Sequence, residues 1–259
     1  MPGEILLSRD GPIATVTLSN PHKLNALDLA MWTNLGEVMR KLDRDKSLRC
    51  VVMRGAGNEA FAAGADISEF EKTRNNSRVA RKYGEQLEKT MDAIGGCRHP
   101  IVAMIHGACV GGGMEIVSQC DLRICGASSR FGIPIAKLGL VVGYVEMQGL
   151  IELIGRAAAM EILLEGRILS AAEAKDMGLV NRVVADDKLE EDATAAARRI
   201  AAGAPLVARW HKKFARRLAS PRPVGKTERN EAYACYDTAD FREGVAAFLS
   251  KRKPDFKGK

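Results

Sequence analysis

The run Gly107-Ala108-Cys109-Val110-Gly111-Gly112-Gly113-Met114-Glu115 puts three consecutive glycines just ahead of a carboxylate. Met114, Ile116, Val117 and Cys120 read as the buried stripe of a short helix that starts at these glycines. The Gly112 and Gly113 amides then belong to the unpaired N–H groups at its N-terminus, a ready anion site. Backbone without side chains also lets a ligand come close. Donors of this kind stabilise negative charge as it develops, and Glu115 beside them is a group able to transfer a proton.

A second segment, Phe61-Ala62-Ala63-Gly64-Ala65-Asp66-Ile67, is a turn of small residues that leaves more backbone amides accessible. It lies between a predicted strand, Cys50 to Arg54, and a helical run that begins near Ser68. Further strand-like segments are expected at Ile5 to Ser8, Ile13 to Leu18, Ile101 to His106 and Leu122 to Cys125, with a short one at Asn181 to Val184. Met31, Leu35, Val38, Met39 and Leu42 recur at helical spacing, as do the stripes around Ile151 to Leu163 and Leu189 to Ile200. The class is α/β with an all-helical C-terminal quarter, jointed at Pro205 and at Ser220-Pro221-Arg222-Pro223. Pattern alone leaves the topology open, because strand–helix alternation also fits doubly wound sheets.

With 259 residues, 46% of them hydrophobic, the chain can bury a full core. Its N-terminus lacks the signature of a secretory signal, and no apolar run approaches the roughly 20 residues of a membrane span, so a cytoplasmic protein without a membrane partner is expected. The six cysteines are scattered through apolar segments and are expected to be reduced and buried, with no metal site. The charge of +7 is a C-terminal property: residues 205–259 carry 14 Lys and Arg against 6 Asp and Glu. Lys212, Lys213, Arg216 and Arg217 fit the solvated face of an amphipathic helix, with Phe214 and Leu218 opposite, so nucleic acid is not the expected partner. No Gly-x-Ser-x-Gly elbow, Walker-type loop or Gly-x-Gly-x-x-Gly fingerprint is present.

Taken with Asn20-Pro21-His22-Lys23-Leu24-Asn25-Ala26-Leu27, Phe131-Gly132-Ile133-Pro134, Gly178-Leu179-Val180-Asn181 and the ending Phe241 to Leu249, these segments resemble the crotonase superfamily, the enoyl-CoA hydratases and isomerases. The motifs come in family order and span nearly the whole chain. The resemblance implies a crotonase-like spiral of ββα units over residues 1–200 and a helical module over 201–259 that builds a homotrimer or hexamer. It implies a coenzyme A thioester as substrate, no separate cofactor, and a place in fatty acid metabolism. The thioester oxygen would sit between the N–H groups of Ala65 and Gly112, with Glu115 as catalytic carboxylate. Lys23 would lie near the coenzyme A phosphates and Ala63, Asp66 and Ile67 near the adenine, with Phe248 and Lys251 helping at the nucleotide end.

One position departs from that pattern. The hydratases carry a second glutamate directly after the Phe-Gly-x-Pro run, and here that residue is Ile135, which cannot move a proton. The next segment, Leu140-Val141-Val142-Gly143-Tyr144-Val145-Glu146-Met147-Gln148, also differs and offers Glu146 or Tyr144 as substitutes. With one carboxylate, a hydratase would be poor and Ile135→Glu would improve it. With Glu146 as the second, hydration would be efficient. A decarboxylase, a thioester hydrolase or a non-catalytic acyl-CoA-binding subunit are the alternatives on the same scaffold.

Overall fold

Along Ile13-Ala14-Thr15-Val16-Thr17-Leu18 the side chains alternate between fully and partly buried, whereas Ile101-Val102-Ala103-Met104-Ile105 is buried throughout. The first pattern suits a strand near a sheet edge and the second a central parallel strand covered on both faces. The computed structural model describes residues 3–259 and bears this out. Six strands, β1 (Glu4–Asp10), β2 (Ile13–Ser19), β3 (Cys50–Gly55), β5 (Ile101–Ile105), β7 (Leu122–Gly126) and β10 (Arg182–Val184), form one sheet in the order β1-β2-β3-β5-β7-β10. β1 and β2 make an antiparallel hairpin and the others run parallel.

A second sheet, which the sequence reading did not contain, is built from β4 (Ala60–Ala62), β6 (Ala108–Val110), β8 (Arg130–Gly132) and β9 (Leu169–Ser170). The chain passes from a long strand to a short one and then into a helix: β3, β4 and α3 (Ser77–Gly96) after the single turn α2 (Phe70–Thr73), then β5, β6 and α4 (Gly112–Ser118), then β7, β8 and α5 (Tyr144–Glu165). These are the ββα turns of a crotonase-type spiral. On one face of the long sheet α1 (Leu29–Arg44), which is capped by Asp28 through its bond from the Met31 N–H at 2.7 Å, packs Trp32, Leu35 and Met39 against Met91 and Ile94 of α3. After α6 (Ala171–Asp176), α7 (Leu189–Ala202) covers the opposite face with Ala193, Ala196, Ala197 and Ala201, whose small side chains let helix and sheet approach closely.

The remaining helices α8 (Pro205–Leu218), α9 (Lys226–Glu231) and α10 (Ala239–Leu249) complete the helical C-terminal quarter. One charge there departs from expectation. Lys212 does not face solvent: its Nζ is buried, 2.6 Å from Asp121 Oδ2 and 3.1 Å from the His99 carbonyl, and it pins α8 to the core. Helical periodicity assigned it to the charged side, yet a lysine stem buries readily when its ammonium finds acceptors. The apolar side of α8 is left half-covered, with Phe214 half-buried and Leu218 exposed, and Phe248 and Leu249 of α10 are exposed as well. All six cysteines are free thiols; five are buried and Cys235 is half-buried. No helix among the described residues is long and apolar enough to cross a membrane.

Candidate active site

Three backbone segments converge beside α4. Asn25, held in the left-handed region at φ 59°, donates from its side-chain amide to the carbonyls of Ala56 and Ala60. The Ala63 N–H donates to Leu24 O, the Leu27 N–H to Gly64 O and the Asp66 N–H to Leu27 O. The Asn20 to Leu27 segment is therefore the clamp that fixes the turn carrying Ala65. In this parallel bridge of Leu27 with Ala65, the bonds run to the neighbours of Ala65, so its own N–H points away from Leu27.

Gly112 is the first residue of α4, and its N–H has no partner within that helix. The two amides are neighbours, because a Cβ built on Gly64 would lie 3.6 Å from Gly112 N. Gly64 also sits at φ +102°, where side chains are strained, so glycine is needed there for both conformation and approach. On the other side of Gly112 a Cβ would meet the Trp32 ring at 2.8 Å. The sequence-predicted pair, Ala65 and Gly112, is thus brought together, and neither N–H has a backbone partner among the described residues. This is the arrangement an oxyanion needs.

Glu115 follows in the first turn of α4 and is 9% exposed. Burial first, and then the charge of Glu146, push its carboxyl up to about 7 against the lowering effect of Arg74. Glu146 stands in the first turn of α5, folded back over Gly143, where a Cβ would come within 2.5 Å of its Oε2. Ile135 is half-buried. All three line one pocket of about 430 Å³, together with Ala63, Ala65 and Gly112. Glu146, a secondary candidate in the sequence, therefore opens on the same cavity as Glu115.

Tyr144, the other substitute candidate, is 96% exposed and does not line that cavity. Two residues that sequence reasoning missed do: Arg74, which closes α2, and Tyr83, which is buried on α3. The Arg74 guanidinium lies 4.2 Å from the Phe70 ring centre and 3.9 Å from that of Tyr83. The i, i+4 spacing of Phe70 and Arg74 was the only signal available, and by itself it marks nothing.

Of the predicted coenzyme A contacts, Ala63 and Ile67 line the pocket, Ile67 as a 60% exposed side chain at its edge. Lys23 and Asp66 are brought together as an ion pair, Nζ to Oδ2 at 2.5 Å, with Ser68 Oγ also bound at 2.9 Å. Burial alone would raise the Asp66 carboxyl, but hydrogen bonds from Lys23 and Ser68 hold it below the usual range. Lys23 remains half exposed, while Phe248 and Lys251 lie at the end of α10 and line no part of this cavity.

Comparison with known proteins identifies the family and the fold. Residues 8–259 match the family model for enoyl-CoA hydratase/isomerase. A probable enoyl-CoA hydratase of Rhizobium meliloti is 34% identical over 98% of this chain and 97% of its own length. A short-chain-enoyl-CoA hydratase of Clostridium acetobutylicum is 32% identical over 96% and 95%. The crystal structure of an enoyl-CoA hydratase/carnithine racemase from Magnetospirillum magneticum superposes with a TM-score of 0.97 at 48% identity, covering 98% of this chain and 96% of that one. The chain belongs to the enoyl-CoA hydratase/isomerase family of the crotonase superfamily.

Proposed function

We propose that this enzyme adds water across the double bond of a 2-enoyl-CoA, with Glu146 in the role vacated at Ile135. The observation that carries the reading is the presence of both Glu115 and Glu146 on the pocket that the Ala65 and Gly112 amides border. The thioester oxygen is held by those two N–H groups. As water attacks the β-carbon, charge builds on that oxygen, and each preorganised donor lowers the barrier by about 3–4 kcal/mol. Burial raises the Glu115 carboxyl to about 7, so a substantial share of it carries a proton near neutrality. Glu146 takes the proton from water as its oxygen bonds to the β-carbon, and Glu115 delivers a proton to the α-carbon. Transfer between the carboxyls then resets the pair.

A 1,3 double-bond shift needs only one carboxylate, and Glu146 facing the cavity is what favours hydration over it. Lys23 serves the coenzyme A phosphates and the stretch through Ala63, Asp66 and Ile67 the adenine, a role supported by the exposure of Lys23 and Ile67 at the pocket edge. A homotrimer or hexamer in the cytoplasm completes the proposal; its support is the uncovered apolar side of α8 and α10. The test is loss of thioester absorbance with crotonyl-CoA. Glu115→Gln should bind the thioester but turn over roughly 100-fold more slowly or worse, and unchanged turnover would reduce Glu115 to a helix-start residue.

A further inference from the structure

The cavity holds more polar groups than hydration of a plain alkenoyl chain requires. Three of its lining side chains, Trp32, Arg74 and Tyr83, form one buried polar cluster: the indole and guanidinium donors approach the Tyr83 hydroxyl, and none of the three makes a well-formed hydrogen bond among the described residues. Buried polar atoms are normally satisfied, and although the Tyr83 hydroxyl can accept from its two neighbours, its own proton and the Arg74 charge are left without an acceptor among the described residues and ask for an anionic ligand. All three are donors, and one carries a fixed positive charge. The guanidinium is held in place by stacking on Phe70 and Tyr83, so it is ordered before anything binds. Its charge reaches Glu115 only through space, without a hydrogen bond between them. A methyl-terminated chain would leave the Arg74 charge and the Tyr83 proton unpaired. A cationic acyl group would meet the charge of Arg74.

We infer that Arg74, with Tyr83 and Trp32, receives a carboxylate at the far end of the acyl group, so that the substrates are enoyl-CoA thioesters bearing a second carboxyl. A carboxylate accepts from a planar guanidinium in two parallel bonds and has a lone pair left for the Tyr83 hydroxyl, which Trp32 backs from the other side. The assignment rests on the proposed hydration for where the double bond sits, but the donor set itself is independent of it. Arg74 is a specificity residue in this account, because it touches the end of the substrate rather than the reacting carbons.

The experiment compares carboxylate-terminated with methyl-terminated 2-enoyl-CoAs of equal length, from roughly five to eight carbons, by kcat/KM. The native enzyme should favour the best carboxylate-terminated member, and Arg74→Met should shrink that preference about tenfold or more, chiefly through KM, with Arg74→Lys recovering part of it. Arg74 also biases the Glu115 carboxyl, but that effect is common to both substrates and cancels in their ratio. A native preference for methyl termini, or an Arg74→Met loss that leaves the ratio intact, would overturn the inference. Calorimetry with the saturated pair glutaryl-CoA and pentanoyl-CoA separates it from the hydratase reading. If no enoyl thioester is hydrated yet glutaryl-CoA still binds more tightly and Arg74→Met abolishes the difference, only the reaction was misassigned. Equal binding of the two would sink the carboxylate site even if hydration is efficient.

Discussion

Neutralising Glu115 should stabilise the protein at alkaline pH while disabling it. In the folded chain its carboxyl is raised from 4.5 to about 7, first by burial and then by the charge of Glu146. Below the unfolded value both states are protonated and the group costs nothing. Between the two values the unfolded chain gives up a proton that the folded one keeps, so stability falls as pH rises. Above the folded value the penalty is complete, at about 3 kcal/mol for a shift of this size. Glu115→Gln has nearly the same shape and no charge. Urea unfolding at about pH 5 should therefore find the variant and the native protein similar, whereas at about pH 8.5 the variant should be more stable by about 2–3 kcal/mol. A variant equally or less stable at both pH values would refute the claim that Glu115 is ionised there against burial.

Gly112→Ala should lower kcat/KM for any thioester by about 100-fold, because its Cβ would meet the fully buried Trp32 ring at 2.8 Å and displace the amide that holds the thioester oxygen. Steady-state kinetics with crotonyl-CoA reads this, and a loss under threefold would remove Gly112 from the oxyanion site. If Glu146 supplies the second carboxylate as proposed, Ile135→Glu should not improve hydration; a third carboxylate on the pocket would push the Glu115 carboxyl higher still and move the pH–rate profile to alkaline pH. A clear rise in hydration rate would show that position 135 was the missing part. Light scattering at micromolar concentration should give the mass of a trimer or hexamer, and a 28.0 kDa particle would reject that assembly.

All six strands of the long sheet were legible in the sequence: five are apolar or alternating runs of five or more residues, and the three-residue β10 showed through its Val183-Val184 pair just after the Gly178 turn. The short sheet was not. β4, β6, β8 and β9 have two or three residues each, too few for a period, and β4 and β6 fall inside the small-residue segments that also carry the site. Glycine-rich sequence there has two jobs, close packing and free amides, and neither of them signals a strand. Ala65, Gly112 and Glu115, which line one pocket, were legible as motif positions, whereas the convergence of Glu146, Arg74 and Tyr83 was not, since α2, α3 and α5 meet only in the folded chain. Lys212 was misread for the same reason: its partner Asp121 lies far back in the sequence.

The second carboxylate decides the account, and one comparison tests it most directly: crotonyl-CoA hydration by the native enzyme and by Glu146→Gln, followed by thioester absorbance at neutral pH. The native enzyme should hydrate readily, and the variant, which keeps the shape of Glu146 but cannot take a proton from water, should be slower by roughly 100-fold or more with binding retained. Hydration that survives Glu146→Gln intact would contradict the assignment and return the site to a single carboxylate at Glu115.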